Sequence, residues 1–235
     1  MDHKNDSIRN KLYIQTKEDL KDNFDSIVGY LPQKEAIRSA LVDPIKYRSY
    51  LEPQSGVCLF GHPGTGKSKL AQALAKELQH TFIQVRAGDL DSMYHGRGQQ
   101  NVIETFKICK EEYSPCVLFI DEVDQLMISR TTGSQHDTKI VETFLTEMDQ
   151  CLGSVFLVST TNLPHQLDPA YLRRIVCIHM PLPDLKVREE LLIQKLSDKV
   201  KGSFKQTSFR LLQEVILTFP FQNNDDVELY ITPRY

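Results

Sequence analysis

One glycine-rich segment constrains the fold of this chain more than any other feature: Gly61, His62, Pro63, Gly64, Thr65, Gly66, Lys67 and Ser68. An apolar run typical of a buried strand, 57–60, precedes it, and apolar residues at helical spacing, 70–78, follow it. Glycines allow successive backbone N–H groups to turn toward an anion at the N-terminus of the following helix. The sequence therefore predicts a strand, a phosphate-binding loop and a helix in immediate succession.

The lysine and serine of this loop indicate which phosphate compound it takes. In a G-x-x-x-x-G-K-S loop the lysine reaches the β- and γ-phosphates of a nucleoside triphosphate, and the serine hydroxyl ligates Mg²⁺. Lys67 and Ser68 occupy these two positions. A chance match is the alternative, but the flanking strand and helix count against it. We therefore expect ATP and Mg²⁺ as cofactors.

Two carboxylates end a second apolar run, 117–120. Asp121 is suited to hold Mg²⁺ through its water shell, and Glu122 is suited to polarise the water that attacks the γ-phosphate. A strand that ends in Asp-Glu is often only the start of a solvated loop. The phosphate-binding loop on an earlier strand favours the catalytic interpretation.

Polar residues after later apolar runs complete the candidate site. Asn162 is suited to hydrogen-bond the γ-phosphate or the attacking water, although an Asn before a Leu-Pro pair is also typical of a turn. Arg173 and Arg174 end a predicted short helix that begins near Leu167. Phosphoryl transfer needs extra positive charge, often from a neighbouring molecule, whereas an Arg-Arg pair alone is usually a solvated surface.

Short β-rich runs alternate with stretches long enough for helices, at 57–60, 81–85, 116–120, 155–159 and 175–180. This alternation predicts an α/β fold in which a five-stranded parallel sheet lies between helices. A helix over 32–41 comes ahead of the first strand, and helices over 187–196 and 209–217 follow the last. We expect three parts: a flexible N-terminal arm at 1–23, a large α/β domain at 24–183 and a partial helical lid at 184–235.

Charge and cysteine content exclude several classes of function. The 28 basic and 31 acidic residues give a formal net charge of −3, so no overall field draws the chain onto nucleic acid or an anionic membrane. No apolar run approaches the roughly 18 residues of a membrane span, and no secretory signal pattern is present, so the cytoplasm or the nucleus is expected. Without C-x-x-C or metal-ligand spacing, reduced core thiols are expected at Cys58, Cys109, Cys116, Cys151 and Cys177.

Together these motifs resemble one family of ATPases. The sequences GHPGTGKS, FIDEVD, STTN and LRR, with DSIVG at 25–29 ahead of them, are similar to the meiotic clade of AAA+ ATPases, over about 24–230. That clade contains the vacuolar-sorting ATPase that disassembles ESCRT-III and the microtubule-severing enzymes katanin, spastin and fidgetin. Residues 43–46 and 180–183 are most similar to the vacuolar-sorting ATPase, whereas 172–174 and 188–192 resemble spastin.

The resemblance implies further roles for individual residues. Asn162 would sense the γ-phosphate, and Arg173 and Arg174 would be paired fingers that reach the site of the next subunit in a homo-oligomeric ring, a hexamer. Adenine would be contacted by Ile27, Val28 and Gly29. A first pore loop would grip a polypeptide substrate through Met93, Tyr94 and His95.

Several positions depart from the family pattern. Met93, His95 and Arg97 stand where relatives carry a lysine, an aliphatic residue and an acid, and the segment 129–144 is shorter than in relatives. About 23 residues precede the predicted core, so we expect adaptor recognition to be absent or to be supplied by another protein. Residues 221–229 resemble part of the lid but lack its glycine.

The expected function is ATP hydrolysis coupled to remodelling or disassembly of a protein polymer, ESCRT-III-like, threaded through the pore of the ring. A microtubule-severing ATPase is the alternative within the clade. A nucleotide-binding regulatory or scaffold subunit with little hydrolysis is the alternative of another class. The resemblance implies a cytoplasmic protein that associates peripherally with endosomal membranes, and a nuclear location stays open.

Overall fold

A mostly parallel sheet forms the centre of the computed structural model, which describes residues 8–47, 54–91, 97–128 and 135–199. Within these residues the sheet has six strands in the order β1-β3-β4-β5-β2-β6, and only β1 is antiparallel to its neighbour. The strands are β1 Tyr13–Gln15, β2 Gly56–Phe60, β3 Thr81–Arg86, β4 Cys116–Asp121, β5 Val155–Thr161 and β6 Val176–His179.

Helices cover both faces of the sheet. They are α1 Leu31–Ile37, α2 Asp43–Lys46, α3 Lys67–Leu78, α4 Ala87–Leu90, α5 Gly98–Glu112, α6 Gln135–Gln150, α7 Pro169–Leu172 and α8 Leu185–Lys199. Successive side chains of a strand point to opposite faces, so a strand covered on both sides is apolar throughout. β4 follows this rule, because residues 116–120 are all buried and contribute alternately to two core clusters.

Aromatic side chains fill the core on each face. On the face of α5 and α6, the rings of Phe106 and Phe144 meet edge to face with centroids 5.2 Å apart. On the face of α3, the rings of Phe82 and Phe119 stack with centroids 5.6 Å apart. The first pair joins α5 to α6, and the second joins the adjacent strands β3 and β4.

The five predicted parallel strands are confirmed as β2 to β6. The prediction of a flexible arm at 1–23 is wrong over residues 8–23, and a sixth strand there was not predicted. Residues 8–23 pack against the α/β domain, and β1 extends the predicted five-stranded sheet to six by pairing with β3. The side chains of Ile8 and Leu20 are only 1% and 3% exposed, and the Arg9 guanidinium pairs with the Glu112 carboxylate. Within the described residues, packing is thus already present at Ile8, well ahead of Phe24.

The helices expected before the first parallel strand and directly after the last one are present. Pro32 lies in the first turn of α1, which continues into a five-residue π-helix, Arg38–Val42. The expected helix over 187–196 is confirmed by α8, whereas 209–217 and 221–229 lie outside the described residues. No helix of the described residues is long and apolar enough to cross a membrane.

The five cysteines are all unpaired thiols, as predicted, but they do not share one environment. Four are buried, and Cys177 is exposed on the edge strand β6, so the expectation of a core thiol is wrong for it. A hydrogen bond with Cys58 lowers the pKa of the Cys177 thiol to about 7. Burial raises the pKa of Cys151.

A truncation of Ile8 tests whether the N-terminal segment belongs to the domain. Ile8→Ala should lower the free energy of unfolding by about 2–4 kcal/mol, because the side chain is fully buried in the core cluster. Glu18→Ala, in the same segment but exposed, should change it by less than about 0.5 kcal/mol. Urea denaturation followed by circular dichroism measures both, and equal small effects would show that the segment does not contribute to the fold.

Candidate nucleotide-binding site

Three loops that follow adjacent parallel strands meet at one edge of the sheet. In the strand order β4-β5-β2, the carboxyl end of β2 carries the phosphate-binding loop, that of β4 carries Asp121 and Glu122, and that of β5 carries Asn162. In open α/β sheets, ligands bind in the crevice at the carboxyl ends of the strands. The parallel order therefore brings together side chains that are far apart in the sequence.

Backbone geometry explains the glycines of the phosphate-binding loop. Gly64 and Gly66 have φ values of 76° and 83°, in the left-handed region that favours glycine. A Cβ on Gly61 would lie 2.3 Å from the carbonyl oxygen of Met180, so this position excludes any side chain. The Thr65 hydroxyl donates to the His62 carbonyl at 3.0 Å and holds the loop in shape, and α3 begins at Lys67 with its free N–H groups facing the loop.

The Lys67 ammonium joins the first and third loops. It donates to the carbonyl oxygens of Gly61 and His62, both at 2.8 Å, and to Oδ1 of Asn162 at 3.0 Å. Burial lowers the pKa of Lys67, and the negative charge of Asp121 opposes that shift. An ammonium has three donors, so binding a phosphate through Lys67 replaces at least one of these bonds.

The two carboxylates differ in their surroundings. Asp121 ends β4 and is partly buried, whereas the Glu122 side chain is exposed and accepts a hydrogen bond from Gln125 Nε2 at 2.7 Å. The backbone of Glu122 is left-handed, with φ 54° and ψ 49°. Such a conformation costs a residue with a side chain about 1–3 kcal/mol and persists only where neighbouring groups hold it. The turn thus separates a carboxylate in the sheet from one that faces solvent.

Two threonines at the end of β5 belong to this site, although their roles were not predicted from the sequence. The hydroxyl of Thr160 donates to Oδ1 of Asp121, and that of Thr161 donates to Oδ1 of Asp124 at 2.5 Å. Both threonines are 1% exposed. The sequence does contain a sign of this role. Three consecutive hydroxyl residues, 159–161, end an apolar run, and buried hydroxyls need hydrogen-bond partners.

The segment predicted to contact adenine consists of Ile27, Val28 and Gly29, and it lies against helix α8. Gly29 has φ 73°, and a Cβ there would lie 2.8 Å from a methyl of Val187. Gln194 of α8 donates from Nε2 to the carbonyl oxygen of Ser26 at 3.2 Å. Helix α8 therefore covers one side of this segment.

The same segment reaches the phosphate-binding loop through the chain that follows β6. The Tyr30 hydroxyl donates to the carbonyl oxygen of Pro181 at 3.2 Å, and burial raises the pKa of this hydroxyl to about 12. The neighbouring Met180 donates from its N–H to Phe60, the last residue of β2, at 2.7 Å. The segment predicted to contact adenine is thus linked to the strand end from which the predicted phosphate-binding loop leaves.

The structure separates the two arginines of the predicted finger pair. Arg174 donates from Nε and Nη2 to the Asp149 carboxylate at 2.9 and 3.0 Å, and from Nη1 to the carbonyl oxygen of Ala170 at 3.0 Å. Arg173 is exposed just beyond α7. The guanidinium of Arg174 is held within its own subunit, whereas Arg173 is exposed.

The donor set at the sheet edge fits Mg²⁺ bound together with phosphates. Magnesium is usually held by one or two carboxylates plus phosphate oxygens and waters rather than by an all-protein cage. Among the described residues no group of three or more His, Cys, Asp or Glu side chains could hold a metal. Ser68, in the first turn of α3, and Asp121 supply one hydroxyl and one carboxylate.

Comparison with known proteins agrees with this geometry. A family model described as ATPase family associated with various cellular activities (AAA) matches residues 57–182, more than half of the chain. The chain belongs to the AAA family of ATPases. The matched residues run from β2 to the segment after β6 and include the whole edge of the AAA sheet that carries the site.

Curated AAA relatives align over most of this chain. Cell division protein C of Sulfolobus acidocaldarius is 35% identical over 198 residues, which are 79% of this chain and 52% of that protein. Proteasome-activating nucleotidase of Thermococcus onnurineus is 35% identical over 209 residues, 82% of this chain and 51% of that protein. The chain therefore spans about half the length of the curated relatives it matches.

Solved AAA structures have the same fold. A structure described as "Structural Basis for Katanin Self-Assembly" matches with a TM-score of 0.73 and 28% identity. The match covers 95% of this chain and 73% of that one. A crystal structure of the FIGL-1 AAA domain in complex with ADP has a TM-score of 0.73 and 25% identity, with 97% and 78% covered. The predicted pore-loop residues Met93, Tyr94 and His95 lie outside the described residues.

A double-mutant cycle tests the separation of the two arginines. Arg174→Ala and Asp149→Ala should each lower the free energy of unfolding by up to about 1 kcal/mol, because the ion pair is partly exposed, and the two losses should not add in the double variant. Arg173→Ala, the matched change one residue away, should leave stability unchanged. Thermal unfolding measures all four variants. Additive losses would show that Arg174 and Asp149 do not act as a pair.

Proposed function

We propose that this chain binds ATP with Mg²⁺ at the β4-β5-β2 edge and hydrolyses it, in a ring whose neighbouring copy completes each site. The observation that carries the proposal is the convergence of four side chains at the carboxyl ends of three adjacent strands: Lys67, Asp121, Glu122 and Asn162. A phosphate on the loop would lie among a cation, a metal-binding carboxylate, a water-polarising carboxylate and an amide.

Each side chain has a distinct part in this reaction. The loop amides and Lys67 bind the β- and γ-phosphates, and Asn162 exchanges its bond with Lys67 for one to the γ-phosphate or the attacking water. The exposed Glu122 carboxylate orients and polarises that water. A bound Mg²⁺, held by Ser68 and Asp121, would neutralise phosphate charge during the transfer.

The ring is proposed because each site needs an arginine from a neighbouring subunit. Of the two arginines, Arg174 is engaged with Asp149 of its own chain, and Arg173 is exposed on the surface. Phosphoryl transfer gains about 10³- to 10⁵-fold from an arginine supplied by a neighbouring molecule. We therefore assign Arg173 as the finger that acts in trans, with Arg174 fixing the end of α7.

The work driven by hydrolysis is remodelling or disassembly of a protein polymer, which the pore loop at 93–95 would thread through the ring. The support is the resemblance of residues 89–98 to a pore loop and the similarity to a proteasome-activating nucleotidase. The structural similarity to katanin favours microtubule severing as the second candidate. We place the protein in the cytoplasm, at endosomal membranes, with an adaptor for substrate recognition.

Substitution of Glu122 tests the chemistry. Glu122→Gln should still bind Mg-ATP but hydrolyse it about 10²- to 10⁴-fold more slowly, because the amide keeps the shape and loses the charge that polarises water. Glu111→Gln, the same change at an exposed position of α5, should keep the parental rate. Phosphate release measures the rates. Turnover by Glu122→Gln at the parental rate would contradict the assignment.

Mixed rings test whether the site is shared. Arg173→Ala and Lys67→Ala subunits should each be inactive alone, and activity should partly return on mixing, because some interfaces then pair an intact loop with an intact finger. The parental ATPase rate per subunit should also rise steeply with protein concentration. A scaffold subunit would show a low rate at every concentration. Inactive mixtures, despite mixed rings shown by co-purification of subunits that carry different affinity tags, would contradict a finger in trans.

A further inference from the structure

The buried hydroxyl of Thr160 contacts both Asp121 and Glu122 at the end of β4. Thr160 Oγ1 donates its only proton to Oδ1 of Asp121 and accepts the backbone N–H of Glu122 at 3.1 Å. The residue is 1% exposed, so water does not compete for these bonds. A single side chain on β5 therefore connects the metal-binding carboxylate with the residue that follows it.

The position of Thr160 in the sheet explains why this connection is needed. The paired positions of β4 and β5 end at Ile120 and Ser159. Beyond them the chain turns away through the left-handed backbone of Glu122, so the sheet ladder supplies no partner for the Glu122 N–H. The Thr160 hydroxyl takes the place of that partner.

We propose that Thr160 is a positioning residue that fixes the Asp121 carboxylate and the Glu122 turn for the bound Mg-nucleotide. Its bond occupies one oxygen of Asp121 and sets the plane of the carboxylate, so the second oxygen keeps one direction relative to the loop that carries Ser68. Its acceptor role holds the backbone from which the Glu122 side chain leaves. This inference rests on the proposed function of the site.

Outer groups that hydrogen-bond a metal-binding carboxylate orient it, and their removal typically weakens metal binding by about 10- to 100-fold. The competing explanation is that Thr160 only satisfies buried backbone and contributes to stability. The two explanations differ in what they predict for Mg²⁺. A purely structural hydroxyl would change the melting temperature but not the dependence of nucleotide binding on the metal.

Thr160→Val is the informative variant, because it replaces the hydroxyl by a methyl of nearly the same size. Binding of a fluorescent non-hydrolysable ATP analogue to the full chain is titrated with Mg²⁺. We expect Thr160→Val to raise the half-saturating Mg²⁺ concentration about 10-fold and to leave metal-free binding of the analogue unchanged, since the phosphate-binding loop is intact. Thr160→Ser keeps the donor and the acceptor and should restore the parental value.

Thr105→Val is the matched control. Thr105 is also 1% exposed, and its hydroxyl donates to the Asn101 carbonyl of its own helix at 2.8 Å. The Thr105→Val variant should leave the Mg²⁺ dependence of analogue binding unchanged. In an Asp121→Asn background, Thr160→Val should produce no further shift, because the carboxylate through which it acts is gone.

The outcomes separate this inference from the proposed function. A parental chain that does not bind the analogue in Mg²⁺ would overturn the proposed function. A parental chain that binds it, with Thr160→Val and Thr105→Val alike in Mg²⁺ dependence, would overturn the positioning role alone. If Thr160→Val does not fold, Thr160→Ala removes the hydroxyl without adding a methyl beside Asp121. Failure of both to fold would assign the hydroxyl to stability and would likewise overturn the positioning role.

Discussion

The parallel hydrogen-bond ladder of β2, β5 and β4 is the constraint on which the rest of the molecule depends. Parallel pairing places the carboxyl ends of these strands at the same edge, and the register from Gly56↔Leu157 and Cys116↔Val155 onward fixes how far each strand extends. A slip of one residue would turn every side chain of a strand to the other face. Side chains of these strands are buried in a core cluster on each face, so such a slip would expose apolar groups, and the site depends on this register.

Much of this arrangement could be predicted from the sequence because its signals are local. The phosphate-binding loop lies within eight consecutive residues, and each central strand is a short apolar run that is buried on both faces. The edge strand β1 could not be predicted in this way. It has three residues and carries an exposed Tyr13, so its hydrophobic signal is weak, and its partner β3 lies far along the chain.

Two side-chain contacts near the site could not be predicted either, because each joins residues that are far apart in the sequence. The Thr160 hydroxyl meets Asp121 across the sheet, 39 residues away in sequence, and Arg174 meets Asp149 across 25 residues. Neither pair leaves a periodic pattern in the sequence, because each depends on how the final turn of an element is oriented. The sequence identified Arg173 and Arg174 as equals, and only the folded chain distinguishes them.

The Lys67 ammonium already makes three hydrogen bonds, so a ligand that binds it must replace at least one of them. A phosphate oxygen competes with the carbonyl oxygens of Gly61 and His62 and with the Asn162 amide, so the net affinity is the difference between two sets of charge-assisted bonds. A small anion that offers a single oxygen gains little from this exchange. A polyphosphate chain that also met the loop N–H groups and a metal would gain much more, so this exchange of bonds would favour longer phosphate chains without any contact to the base.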